Sequence, residues 1–114
     1  MEIEFETVDG ITVVTLFGEL DSRTAPIVQE KLLDLPSPEA RALLDMSGVN
    51  YISSAGLRAL LMLYRRMATS DGRVALFGLT ESIRDVMTVT GFLDFFAAYD
   101  TLEEGVAALS SDPS

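Results

Sequence analysis

Two adjacent hydroxyls, Ser53 and Ser54, stand where an apolar run closing on Asp45 gives way, through Met46 to Ile52, to a helical pattern of side chains. Serine is a preferred helix N-cap, so a purely structural role is available to the pair. A helix N-terminus also carries unpaired N–H groups and the positive end of the peptide dipole, and it can hold a phosphate without unfolding. The two roles are compatible, since Ser53 can cap while Ser54 accepts a phosphoryl group. Arg58 lies one turn beyond Ser54, at i+4, where it can pair with the added charge.

Other chemistries find little support. The chain has no His and no Cys, which removes the commonest general base, thiol nucleophiles, disulfides and zinc sites of the usual ligand type. No Gly-x-Ser-x-Gly elbow, Walker loop or Gly-x-Gly-x-x-Gly fingerprint occurs. A phospho-aspartate receiver built on Asp45 would want a lysine on a late strand, and the only lysine, Lys31, falls in the first helix. Glu2, Glu4 and Glu6 put three carboxylates on one strand face, which reads better as a solvated, pairing-resistant face than as a cation site. The expectation is a protein that is no enzyme and holds no cofactor or metal.

The elements that must position the two serines follow from periodicity. Residues 2–7 alternate as a half-buried strand, Val8-Asp9-Gly10 supplies a turn, and Ile11 to Phe17 completes a hairpin before Gly18-Glu19-Leu20-Asp21 breaks the pattern. A helix starts near Thr24, carries Ala25, Val28, Leu32 and Leu35 inward, and stops at Pro36-Ser37-Pro38. Ala42 to Asp45 reads as a short central strand followed by a loop. From Ser53 the period is helical, with Leu57, Leu60, Leu61, Tyr64 and Met67 on one face. Arg58, Met62, Arg65 and Arg66 occupy another face, read as solvated. Arg73 to Phe77 is a strand, and a helix capped by Thr80 presents Ile83, Val86 and Met87 before stopping at Gly91. Phe95 to Tyr99 is a last strand, and Thr101 with Glu104 opens a final helix through Leu109. Methionines and the aromatics Phe92, Phe95 and Phe96 read as core.

The order β-β-α-β-α-β-α-β-α predicts an α/β domain with a mixed, mostly parallel sheet behind an N-terminal hairpin and four helices. Its 114 residues make one domain, expected over 1–110 with a flexible tail at 111–114. The mixture of 48% hydrophobic and 23% charged residues is that of a globular protein. Eight basic against eighteen acidic residues give a net charge of −10, which disfavours direct nucleic acid binding and attachment to anionic membrane. No apolar run approaches transmembrane length, so membrane insertion is not expected and the default is a soluble, cytoplasmic protein.

Three segments in order carry a resemblance to the STAS domain of bacterial anti-sigma factor antagonists. Gly18-Glu19-Leu20-Asp21 resembles the family's Gly-Glu-[Leu/Ile]-Asp after the second strand. Asp45 to Leu57 is similar to Asp-Leu-Ser-x-Val-x-[Phe/Tyr]-[Ile/Met]-Asp-Ser-[Ser/Thr]-Gly-Leu, and Thr90-Gly91-Phe92 with Phe95-Phe96 resembles the late Thr-Gly-Leu segment and aromatic strand. The resemblance implies a partner-switching regulator of transcription. Unphosphorylated, such a protein binds an anti-sigma factor that is also a serine kinase; phosphorylation releases it, and a serine phosphatase restores binding. By position the phosphoacceptor is Ser54, with Asp21, Ser53, Ala55, Gly56 and Arg58 as partner contacts, in a monomer or weak dimer. Two departures mark this chain: Ser53 replaces the family's Asp, and Ala55 replaces a Ser or Thr. The competing readings are a constitutive STAS subunit of a signalling scaffold or membrane transport system, in which both serines only cap, and a small-ligand sensor.

Overall fold

A computed structural model describes residues 1–32, 35 and 40–110. The Pro36-Ser37-Pro38 stop and the tail 111–114 lie outside the described residues. β1 (Glu2–Val8) and β2 (Ile11–Leu20) form an antiparallel hairpin. Its turn places Asp9 at φ 51° and Gly10 at φ 80°, the two positive angles that match the twist of the flanking strands. After α1 (Ala25–Leu32) come β3 (Arg41–Ile52), α2 (Ser54–Ala68), β4 (Arg73–Phe77), α3 (Glu81–Val89), β5 (Ala97–Tyr99) and α4 (Leu102–Ser110). The sheet order is β1-β2-β3-β4-β5, with every pair after the hairpin parallel.

Central β3 is apolar on both sides because helices cover both sides. Ala42, Leu44, Met46, Val49 and Ile52 join one buried cluster with Val28 and Leu32 of α1, Leu57, Leu60, Leu63 and Met67 of α2, and Ile83 and Met87 of α3. Leu43, on the opposite side, packs with Ile11, Ala75 and the α4 residues Val106 and Leu109. Three helices therefore lie on one face and α4 on the other. Edge strand β1 exposes Glu2, Glu4 and Glu6 while half-burying Ile3 and Phe5. That charged outer row discourages strand addition.

Four expectations need correction. β3 does not end at Asp45 but runs on to Ile52, and β2 continues through Gly18-Glu19 to Leu20. The cause is visible in the pairing: between Thr15↔Asp45 and Phe17↔Gly48, and again between Gly18↔Val49 and Glu19↔Tyr51, β3 carries one extra residue. Core residues consequently step by three from Met46 to Val49 to Ile52, which hides the strand's period of two. The expected strand at Phe95 to Tyr99 begins only at Ala97, because Phe92–Phe95 form a 3₁₀ turn. On α2 the buried face includes Leu63, whereas Leu61 is only half-buried. Lastly, Met62 is 54% exposed and Phe95 46%, so neither is core, although Met46, Met67, Met87 and Phe96 are buried.

Candidate functional site

The site forms where parallel β2 and β3 end side by side. Ser53 N–H donates to the Leu20 carbonyl over 2.9 Å, which ties the start of α2 to the end of β2. Gly56 tightens the junction further. A Cβ there would stand 2.4 Å from the Leu20 oxygen and 2.8 Å from Leu20 Cγ, so only glycine lets the first turn of α2 lie against that carbonyl. The Gly18–Asp21 and Asp45–Leu57 segments thus meet through Leu20 and Gly56.

Ser53 is the N-cap of α2. Its backbone is extended (φ −97°, ψ 176°), its Oγ accepts from Gly56 N–H at 3.3 Å, and its carbonyl accepts from Leu57 N–H at 2.9 Å. Ser54 is the first residue of the helix and is exposed; among the described residues its hydroxyl has no hydrogen-bond partner. Ala55 is half-buried, Gly56 is buried, and Arg58 is exposed without an ion-pair partner among the described residues. The cap is thereby filled by one hydroxyl and the neighbouring hydroxyl is left to solvent.

Asp21 lies in the adjoining turn, where its own neighbours occupy its carboxylate. Oδ1 accepts from the N–H groups of Arg23 (2.9 Å) and Thr24 (3.2 Å), and Oδ2 accepts from Arg23 Nη2 (3.1 Å). In return Asp21 N–H donates to Thr24 Oγ1 at 2.9 Å, and Thr24 Oγ1 donates to the Glu19 carbonyl at 2.7 Å. This reciprocal arrangement has the form of a capping box closing the turn that leads into α1, and Ala25 N–H donates to the Asp21 carbonyl. The Arg23 guanidinium holds the Asp21 carboxyl below the ordinary aspartate range; partial desolvation opposes it, and the two backbone N–H donors reinforce it. Arg23 and Thr24 hold the Asp21 carboxylate in place, a part of the candidate site that reading from the sequence did not single out. The signal was present, as the Asp-x-x-Thr spacing of Asp21 and Thr24 immediately before Ala25-Pro26.

Asp45, first residue of the longer motif, also works on the backbone. Its Oδ1 accepts from Ser47 N–H (3.0 Å) and Ser47 Oγ (2.6 Å), closing the first irregularity of β3. Among the described residues no group of three or more His, Cys, Asp or Glu side chains could hold a metal ion. None of the described helices is long and apolar enough to cross a membrane.

Comparison with known proteins places this geometry. The STAS domain family model matches residues 2–105. BtrV of Bordetella bronchiseptica is 30% identical over 112 residues, 97% of each chain. The anti-sigma-B factor antagonist of Bacillus subtilis is 28% identical over 93 residues, covering 82% of this chain and 85% of its own. Among solved structures, an anti-sigma factor antagonist from Mycobacterium paratuberculosis superposes with TM-score 0.86 at 25% identity, over 96% of this chain and 94% of that one. The antagonist SpoIIAA matches in fold in its unphosphorylated form, at TM-score 0.77 and 19% identity over 99% and 100% of the two chains. Its phosphorylated form gives TM-score 0.70 and 22% identity over 95% and 99%.

Proposed function

This chain belongs to the STAS domain family, and from that premise we propose that it is an anti-sigma factor antagonist switched by phosphorylation of Ser54. It acts by binding and is not an enzyme. Its partner is an anti-sigma factor with serine-kinase activity, its release signal is the phosphate, and a serine phosphatase reverses the state. The observation that carries the reading is the division of labour at the start of α2: Ser53 fills the cap, and the Ser54 hydroxyl stands exposed with no internal bond to lose. The relatives named as antagonists, and a neighbour of this fold that exists in both phosphorylated and unphosphorylated forms, support it.

The physics of release is local. A phosphoserine adds about −1.5 to −2 charge at neutral pH, at a surface that must be desolvated when the partner docks. An unpaired charge buried in an interface costs several kcal/mol, and about 1.4 kcal/mol is already tenfold in affinity. Arg58, at i+4 on the same helix, is placed to take up the phosphate in the free protein. No refolding is required, because phosphate at a helix N-terminus meets the favourable end of the dipole.

Co-expression with the serine-kinase anti-sigma factors of the protein's own host, followed by intact mass spectrometry and peptide mapping, tests this directly. One phosphate is expected, on Ser54. Ser54→Ala stays folded and unmodified, and Ser54→Asp loses the partner. Ser53→Ala loses about 0.5–1 kcal/mol of stability with its cap yet still accepts phosphate at Ser54. An unmodified wild-type chain, held in a stable complex with some other protein, would overturn the switch in favour of a constitutive STAS subunit. The Ser53 in place of the family's Asp is the feature that speaks for that second reading.

A further inference from the structure

A cavity of about 400 Å3 opens to the surface between α1 and α2. The buried side chains of Leu32, Ala59 and Leu63 line it from within, and Met62, Gln29 and Arg66 line it toward solvent. Gln29 Nε2 lies 3.4 Å from Met62 Sδ, linking the two helices across the opening. Ile27 of α1 is 49% exposed.

The cavity shares helix α2 with the proposed phosphosite: Ala59, Met62, Leu63 and Arg66 of α2 line it, while Ser54 and Arg58 lie further toward the helix N-terminus. Ser54, Arg58, Met62 and Arg66 follow one another at intervals of four residues along α2, and all four are exposed. Such a row winds about 120° around the helix from Ser54 to Arg66 and here spans about 18 Å at 1.5 Å per residue. Its charge is opposite to that of the molecule. Arg58, Arg65 and Arg66 are three of only eight cations in a chain of net charge −10. None of the three is ion-paired among the described residues. Among the described residues lining the cavity, Glu30 is the one carboxylate.

We propose that the α1–α2 groove is the second half of the anti-sigma factor's footprint, and that it receives an acidic amphipathic segment of that partner. An apolar side chain of the segment enters between Met62 and the buried Leu32 and Leu63. Its flanking carboxylates meet Arg58 and Arg66. Apolar anchors in a pocket supply affinity, and complementary charge supplies steering and register. The inference rests on the antagonist reading above and extends it to the partner's chemistry. It also gives Arg58 two alternative tasks, holding a partner carboxylate before phosphorylation and the Ser54 phosphate afterwards, so the modification withdraws one cation from the groove as it adds a charge beside it.

The test titrates the anti-sigma kinase recovered by co-expression into wild-type protein and into Met62→Glu, Arg66→Glu and Val89→Glu. All three positions are exposed, so the variants are expected to fold, and thermal melts verify it. Val89, 86% exposed on α3, controls for added negative charge alone. The groove variants are expected to weaken binding by about tenfold or more while Val89→Glu binds as wild type. Wild-type affinity for Met62→Glu and Arg66→Glu, with release still produced by Ser54→Asp, would overturn the groove and leave the switch standing. Equal weakening by Val89→Glu would reduce the effect to net charge and equally overturn it. A kinase that never binds the wild-type chain defeats the antagonist reading itself, and the groove with it.

Discussion

Ser53 caps α2 and Asp21 closes the turn that leads into α1, and the difference between their side chains has consequences for pH. Ser53 is uncharged and its cap is indifferent to acid. Asp21 accepts from Arg23 through both its backbone N–H and its guanidinium, and from Thr24 N–H, all of which favour the ionised carboxylate. Its folded pKa is therefore depressed below the unfolded value of about 3.9. Between the two values the unfolded chain binds the proton and the folded one does not, so stability rises with pH. The Asp21 contribution is complete above the unfolded value and fades as pH falls through the folded one. Urea unfolding from pH 7 down to pH 2.5 should show wild type more stable than Asp21→Asn at neutral pH, since asparagine caps but cannot pair with Arg23. The gap should close below pH 4. A gap that stays constant to the acid end would mean that geometry alone, without the charge, is what Asp21 provides. The partner contact assigned to Asp21 by family resemblance has to be compatible with a carboxylate already engaged in its own turn.

Between elements, the close approach that shapes the candidate site is the first turn of α2 against the end of β2. Gly56→Ala improves intrinsic helix propensity by about 1 kcal/mol. It also drives a methyl to 2.4 Å from a backbone oxygen held in the Ser53–Leu20 bond, and neither α2 nor β2 can yield easily. Overpacking of this kind costs about 1–3 kcal/mol, so the expected net effect is a loss of up to about 2 kcal/mol, measured as a lower urea midpoint at unchanged slope. A more stable Gly56→Ala protein would show that the junction is looser than the geometry describes. The same junction explains what could be read from the residues alone. The helical row of α2 and the capping serine at Ser53 were legible because each depends on neighbours in sequence. So did the Thr80 cap, whose hydroxyl accepts from Ile83 N–H, and the Thr101–Glu104 box. The second half of β3 was not, because two irregularities in its pairing with β2 replace the period of two by steps of three. The α1–α2 groove was invisible for another reason. Met62 belongs to an ordinary exposed helical face until α1 is laid beside it, and no local pattern encodes that neighbour.

At the scale of the whole molecule, charge is the dominant asymmetry. Ten excess negative charges occupy a body with a radius of gyration of 12.8 Å, and compaction brings them together. Treated as a charged sphere in water, such a body carries self-repulsion of order 5 kcal/mol at 0.1 M salt, and raising the salt to 1 M removes about half of it. The unfolded chain recovers part of the same relief, which leaves a net stabilisation of about 1–2 kcal/mol for the fold. Opposing it is the screening of surface ion pairs such as Arg23–Glu19, Arg23–Asp21 and Arg84–Asp100. Exposed pairs of this kind contribute about 0–1 kcal/mol each, and two of the three share one guanidinium. Repulsion wins the comparison. Sodium chloride from 0.1 to 1 M should raise the melting temperature by about 4 °C, followed by circular dichroism at pH 7. Chloride is the right anion for the measurement, since sulfate strengthens apolar burial whatever the charge. The same addition should weaken the anti-sigma complex, whose proposed contacts set acidic groups against Arg58 and Arg66. Salt would then stabilise the free protein while releasing the proposed partner, a pair of opposite responses that neither apolar docking nor a charge-neutral surface would produce.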